Sequence, residues 1–400
     1  MALNQEAETA PPVTQRSSAF LSDARTRGIA AQIVFVIVLV GLVVWIGFNT
    51  YANLQRSNIA SGFGFLWHRA GFDISQTPIP YSAESSYGRA FLVGLLNTLI
   101  IGAAGIVLAT ILGLIAGIAR LSSNWLVARL ATVYVEIFRN VPVLLQLLFW
   151  YKAVLSVLPG PRQAYELPFS STLSNRGLIM PRFIFEPGFA ATLAAIVVAV
   201  VAVYFVARWA RRRQMATGQQ FPIIRAAFGI LIGLPLVVFL ATGLPVTVEY
   251  PELRGFNFRG GFQVPPEFLA LLLGLVLYTA TYIAEIVRGG ILAVSHGQSE
   301  ASAALGLKRG LALRLVIIPQ ALRVIIPPLT SQYLNLIKNS SLAVAVGYPD
   351  LVGVFARTVL NQTGQAVEVI FITMLVYLVI SLAASAFMNW FNRRVALVER

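Results

Sequence analysis

The chain of 400 residues has no cysteine and only two histidines, His68 and His296. A disulfide framework, a thiolate metal site and a cysteine nucleophile are therefore excluded, as is a His-rich metal centre. Charge is also scarce. Asp, Glu, Lys and Arg together make up 12% of the chain, where an ordinary globular domain carries about 25%. Aspartate occurs only as Asp23, Asp73 and Asp350, so no paired acidic cluster suggests hydrolysis or group transfer. None of the three lysines follows a glycine: Tyr151 precedes Lys152, Leu307 precedes Lys308 and Ile337 precedes Lys338. A phosphate-cradling loop needs Gly-Lys, so the chain carries no such nucleotide site of its own. Neither G-x-S-x-G, H-E-x-x-H nor G-x-G-x-x-G occurs. No catalytic residue, metal or cofactor is expected, and the chain reads as no enzyme.

What is present is apolar. Hydrophobic residues reach 57% and the mean hydropathy is +0.76. Such a chain cannot cover itself with polar surface in water, and it is too hydrophobic to stay disordered. An all-α integral membrane protein follows. The net charge of +14 would suggest nucleic acid in a soluble protein. Here the basic residues border apolar runs, as Arg211, Arg212 and Arg213 do, which is the pattern of inner loops. No nucleic-acid partner is expected.

A spanning helix needs about 20 mostly apolar residues. Such runs occur at 29–48, 89–119, 127–158, 188–208, 224–243, 267–288, 324–347 and 367–390, giving about eight spans. The run 29–48 is too long for a signal peptide and lacks a clear cleavage site, so it reads as an uncleaved anchor after a tail, residues 1–28. With the N-terminus inside, Lys and Arg fall on inner segments about twice as often as on outer ones, placing both termini in the cytoplasm. The outer stretches 49–88, 159–187 and 244–266 are rich in Pro, Gly and aromatic residues and read as loops with interfacial pieces. The inner stretch 289–322 reads as a cytoplasmic helical loop.

That inner stretch holds the strongest motif. Residues 298–321 contain Glu300-Ala301-Ser302, Gly306 and Pro319 at fixed spacing. The segment resembles the EAA loop of ABC importer permeases, with Ser302 in place of the second Ala, and Val316 and Ile318 in place of the usual Ile and Leu. By residue chemistry, Ala301 to Ala304 form a small-residue surface open to close approach. Gly306 can adopt a left-handed backbone, and Pro319 can restart a helix. In the family, this loop (295–320 here) is the coupling helix that docks on the ATPase.

Three further stretches narrow the likeness: Tyr282 to Ile291 around Glu285 and Arg288, Leu336 to Leu342, and Val135 to Pro142. They resemble polar amino acid permeases of the histidine/glutamine type, nearest to the larger subunit type of general L-amino acid importers. The likeness covers about 88–158 and 266–398. It implies a five-helix type I ABC importer core plus three extra helices. By this division, 29–88 holds an extra span and outer loop, and 89–398 is the permease domain with an insertion at 159–266. It further implies a cytoplasmic ABC ATPase dimer, a homologous second permease, a periplasmic amino-acid-binding protein, and residence in the bacterial inner membrane as a multi-pass chain. Symmetry alone would also permit a homodimer.

Polar residues inside spans are expensive and face cavities or partners. Gln332, Asn335 and Asn339 recur at helical spacing, with Lys338 and Ser341 beside them. Lining of a substrate pathway and hydrogen-bonded glue between helices both remain open here. Lys338 is the candidate for a substrate carboxylate. Glu136 and Arg139, like Glu285 and Arg288, are spaced to form intrahelical pairs. Pro142 predicts a bend that leaves the first pair at the inner boundary, and the second pair is placed to brace the coupling loop. An ion-coupled secondary transporter is the alternative. It would want a titratable carboxylate at mid-membrane, and Glu136 and Glu285 look peripheral. A membrane-embedded enzyme is the other, and it lacks an acidic cluster.

Overall fold

The computed structural model describes residues 24–56 and 62–395, so most of the expected tail and residues 396–398 of the expected permease domain lie outside the described residues. Seven helices are long and apolar enough to cross a membrane, or eight when one bent pair counts as a span. Helix α1 (Ala24–Arg56) turns its apolar side chains outward along its whole middle, with Phe35 and Trp45 well exposed. A helix hydrophobic all round suits lipid rather than water.

Helix α2 (Tyr87–Ala119) starts at Ser86, whose hydroxyl accepts the Arg89 N–H. One of its faces is a run of small residues, Gly102, Gly105, Ala109, Gly113 and Gly117. Small residues let helices approach closely in a membrane. Helix α3 (Trp125–Asn140) is capped by Asn124, and helix α4 (Val143–Leu148) continues as a π-helical segment, Phe149–Leu155. The two pieces meet at 104°. Pro142 forces this break, because the residue before a proline avoids the helical region; Val141 is extended, with φ −98° and ψ 129°. The break frees carbonyls at the end of α3. The buried Gln146 side chain takes up two of them, donating to Phe138 O at 2.7 Å and Val141 O at 2.9 Å.

Among the described residues, the stretches expected as outer loops contain eight short strands. Strands β1 (Tyr165–Leu167), β2 (Ser171–Ser174), β3 (Gly177–Met180) and β4 (Arg182–Phe185) precede helices α5 (Phe189–Thr217) and α6 (Ile223–Ala241). Strands β5 (Val246–Glu249), β6 (Glu252–Arg254), β7 (Asn257–Arg259) and β8 (Phe262–Val264) follow them. The sheet order is β1-β2-β3-β8, with separate ribbons β4-β5 and β6-β7, all antiparallel. Pairs such as Arg182↔Glu249 and Met180↔Phe262 join residues on either side of the helical hairpin. At three or four residues each, these strands are too short to show period-2 alternation. Helix α5 buries Thr192, Ala195 and Ala199 and packs against α6. It runs past the expected end at 208, so Arg211 to Arg213 lie on its last turns.

Helix α7 (Pro266–Leu292) is the most buried span and packs chiefly on α2. After helices α8 (His296–Ala304) and α9 (Arg309–Ala312), a π-helical stretch, Leu313–Ile317, leads into helix α10 (Ile318–Asn339). The main core joins Ala109, Val276, Ala280, Ile283, Val287, Ile325 and Leu336 from α2, α7 and α10. A 3-10 turn (Ser340–Ala345) ends this span. The chain then reverses at Gly347, with φ +83°, and runs through the π-helical Val352–Val359 and helix α11 (Leu360–Thr363) into helix α12 (Ala366–Val395). The reversal is anchored by Asp350, which is fully buried. It accepts the Gly353 N–H at 2.8 Å and faces the Tyr377 hydroxyl at 3.5 Å. Burial pushes its carboxyl up to about 7.

Candidate functional site

The segment expected to couple to an ATPase is a short helix closed by a specific turn. Gly306 has φ +72°, a conformation costly for residues with a Cβ. Its N–H donates to Ala303 O at 2.9 Å, and the Leu307 N–H reaches back to Ser302 O at 3.1 Å. These two bonds are the Schellman arrangement, which satisfies orphan carbonyls at a helix end. Glu300, Ala301, Ala303 and Ala304 are exposed, and so is Leu305 at 79%. Ser302 is not part of that surface as expected. It is buried, and its hydroxyl donates to Gln298 O at 2.7 Å. Glu300 also meets His296 Nδ1 at 3.1 Å.

Pro319 does not restart a helix after a gap. It lies in the first turn of α10, which is already continuous with the π-helical Leu313–Ile317. A proline breaks the regular hydrogen-bond ladder one turn upstream, and the longer-range π pattern falls on that turn. The Gln320 amide donates to Gln298 Oε1 at 3.1 Å, tying α8 to the start of α10. The sequence reading missed Gln298, Gln320 and Leu305; the spacing of 22 positions between the glutamines carries no local signal.

The Glu285–Arg288 pair forms, with Arg288 Nη2 2.6 Å from Glu285 Oε1. It is part of a larger group. Arg120, at the end of α2, binds the other oxygen of Glu285. The three side chains pin α2 to α7 just before α8. Side-chain exposure is 11% for Arg120 and about a third for the other two. Replacing Glu285 with glutamine should destabilise the protein by roughly 1–2 kcal/mol, discounted from a fully buried pair because of that exposure. Thermal melting of the purified protein in detergent would measure it; an unchanged midpoint would remove the pin from the account.

Glu136 and Arg139 do not pair with each other. Asn140 donates to Glu136 Oε2 at 3.4 Å, and the Arg139 guanidinium lies 5.4 Å from the centre of the Tyr282 ring. The bend at Pro142 turns α3 against α7, so Arg139 meets an aromatic face there. Tyr134 on the same helix donates to Leu277 O at 2.8 Å.

On α10, Leu329, Leu336 and Ile337 are buried, while Asn335 and Lys338 are exposed and Gln332 and Asn339 half-buried. The side chains of Gln332, Asn335 and Lys338 have no hydrogen-bond or ion-pair partner among the described residues. Ser341 donates to Lys338 O at 2.7 Å, so its hydroxyl is already engaged. One face of a membrane-spanning helix thus presents unpaired amides and a cation, and at the end of that span nearer the N-terminus lies an exposed small-residue helix.

These features describe a multi-span membrane protein with an exposed short helix between two of its spans. Residues 221–397 match the family described as the binding-protein-dependent transport system inner membrane component. The chain is 56% identical over 378 residues to the general L-amino acid transport system permease protein AapQ of Rhizobium johnstonii, covering 94% of each. It is 52% identical over 387 residues to the putative amino-acid ABC transporter permease protein YhdX of Escherichia coli, covering 97% of this chain and 98% of that one. It is 43% identical over 422 residues to the glutamate/glutamine/aspartate/asparagine transport system permease protein BztB of Rhodobacter capsulatus, covering 98% of each. The chain belongs to this family of inner-membrane permease subunits, in the amino-acid ABC transporter branch. Membership sets aside the ion-coupled secondary transporter.

Proposed function

We propose that the chain forms one half of the pathway of an ATP-driven importer of L-amino acids, with both termini in the cytoplasm. A periplasmic binding protein delivers the amino acid, and a homologous second permease completes the pathway. A dimer of cytoplasmic ATPases hydrolyses ATP; this chain contributes no ATPase site. Closure of the ATPases displaces α8, and the movement passes through the Gly306 turn and the Gln298–Gln320 bond into α10. The observation that carries this reading is the exposed helix His296–Ala304 ending in a left-handed glycine, which fits a groove on a soluble partner. Gentle purification of the tagged chain from its native membrane, with mass spectrometry and an ATP hydrolysis assay, tests it. An ATPase and a second permease should co-purify, whereas a chain that elutes alone without ATPase activity would overturn it.

Within this pathway we assign Lys338 to the substrate carboxylate, supported by its lack of any partner among the described residues. Gln332, Asn335 and Asn339 line the same face. Loss of one charged hydrogen bond costs about 1.5–3 kcal/mol, so Lys338→Ala should lower uptake efficiency about tenfold or more. ATPase co-purification should be unchanged. Normal uptake by that variant would remove Lys338 from the pathway.

A further inference from the structure

Spans α7 and α10 are joined at one end by the coupling segment, and at the far end of α10 the chain reverses through Gly347 to Asp350. A pocket of about 340 Å³ opens beside this reversal. One wall is the outer segment that carries Asp73 and Ser75; the other is the turn and π-helix that carry Arg357 and Thr358. Phe72 and Val354 add apolar surface to the same pocket.

The charges in this pocket are unlike and unspent. Asp73 and Arg357 are both exposed, and neither makes an ion pair or hydrogen bond among the described residues. Their charged atoms are more than 4.0 Å apart, since no salt bridge joins them. Two opposite charges lining one pocket, together with apolar surface and hydroxyls in the same lining, match an ammonium and a carboxylate carried by one small molecule.

The walls are also held in place. Asn97 on α2 is 2% exposed, and its amide donates to Gln76 O at 3.0 Å and to Pro349 O at 2.8 Å. A single buried amide therefore clamps the outer segment to the turn. Tyr81 fixes the same segment by donating to Phe72 O at 2.9 Å. Asp350 faces inward and is spent on Gly353 and Tyr377, so it adds no free charge to the pocket. Buried, satisfied polar groups of this kind rigidify what they hold, and a pre-formed site loses less on binding.

We propose that this pocket is an outer receiving site for a free amino acid zwitterion, with Arg357 on the carboxylate and Asp73 on the ammonium. The proposal rests on the amino-acid import reading above and adds a site to it, separate from the Lys338 face. A substrate released at the outer surface would be held here before it enters the pathway. Arg357 can bind a carboxylate through two parallel N–H donors, which a lysine cannot.

The test uses the assembled transporter in lipid vesicles, outer face outward and without binding protein. Photo-leucine, an L-amino acid carrying a diazirine, is added outside and irradiated, and adducts are mapped by peptide mass spectrometry. Adducts are expected in 72–75 or 344–358, suppressed by excess L-leucine. N-acetyl-L-leucine and L-leucinamide, each lacking one of the two charges, should not suppress them. Labelling should fall about tenfold in Arg357→Met and in Asp73→Asn, with Arg357→Lys in between. Adducts absent from both segments, or equal yields in both variants, would overturn the site. The same vesicles, given binding protein outside and ATP inside, are assayed for uptake of each labelled proteinogenic L-amino acid. Uptake with an unlabelled pocket overturns the pocket alone. No uptake of any proteinogenic L-amino acid overturns the import reading, and the pocket's assignment with it.

Discussion

Valine at Gly117 is expected to lower the thermal midpoint of the purified protein by roughly 1–4 °C and to abolish uptake. Gly117 lies where α2 crosses α7. A Cβ there would sit 2.7 Å from the Ala284 carbonyl oxygen and 2.8 Å from Val287 Cβ. The first is backbone, so no side-chain rotation relieves it, and the helices must separate. One turn earlier, a Cβ at Gly113 would lie 2.6 Å from Ile283 Cβ, so the seam has no slack in that direction either. Separation would also draw Arg120, three residues on, away from Glu285. Overpacking of this kind costs about 1–3 kcal/mol in soluble cores. Gly289→Ala on α7 is the comparison, because nothing lies within 4 Å of its Cβ position. That variant should melt at or slightly above the parent temperature. Equal midpoints for both substitutions would mean that α2 and α7 do not pack this closely.

Gly306→Val should abolish uptake while leaving the amount of protein in the membrane unchanged. No atom lies within 4 Å of the Cβ position, so the cost is backbone conformation alone, about 1–2 kcal/mol. That suffices to open the two bonds that close α8 without disturbing the spans. Asparagine tolerates the left-handed region better than other residues, so Gly306→Asn should keep most of the uptake. Transport and ATP hydrolysis are measured together in vesicles. Valine should break their coupling, leaving hydrolysis that no longer drives import. If the valine variant transports at the parent rate, the turn does not carry the movement.

The membrane-spanning plan was legible along the chain because a bilayer imposes a length on each apolar run. The run 89–119 became α2 at 87–119, and the bend expected at Pro142 is the break between α3 and α4. The Gly306 turn was legible for a similar reason, as its demand on the backbone is local and only glycine meets it without strain. Where a feature rests on distant residues, nothing in the local pattern announced it. The strands flanking the α5–α6 hairpin are three or four residues long, and β4 finds β5 only across the whole hairpin. The Glu285 pair was visible at a spacing of three, yet its partner Arg120 lies 165 positions away.

By itself the sequence determined the class of the protein, the number and rough position of its spans, the break at Pro142 and the left-handed turn at Gly306. Each follows from hydropathy, proline stereochemistry or glycine conformation acting over a few residues. The tertiary structure alone decided that Arg139 lies over Tyr282 instead of pairing with Glu136, and that Ser302 turns inward. It also decided that Asn97 clamps a segment 21 positions away to a turn 252 positions away. A hydrogen bond or ion pair depends on where two side chains meet in space. Packing sets that meeting, and one-dimensional spacing does not record it.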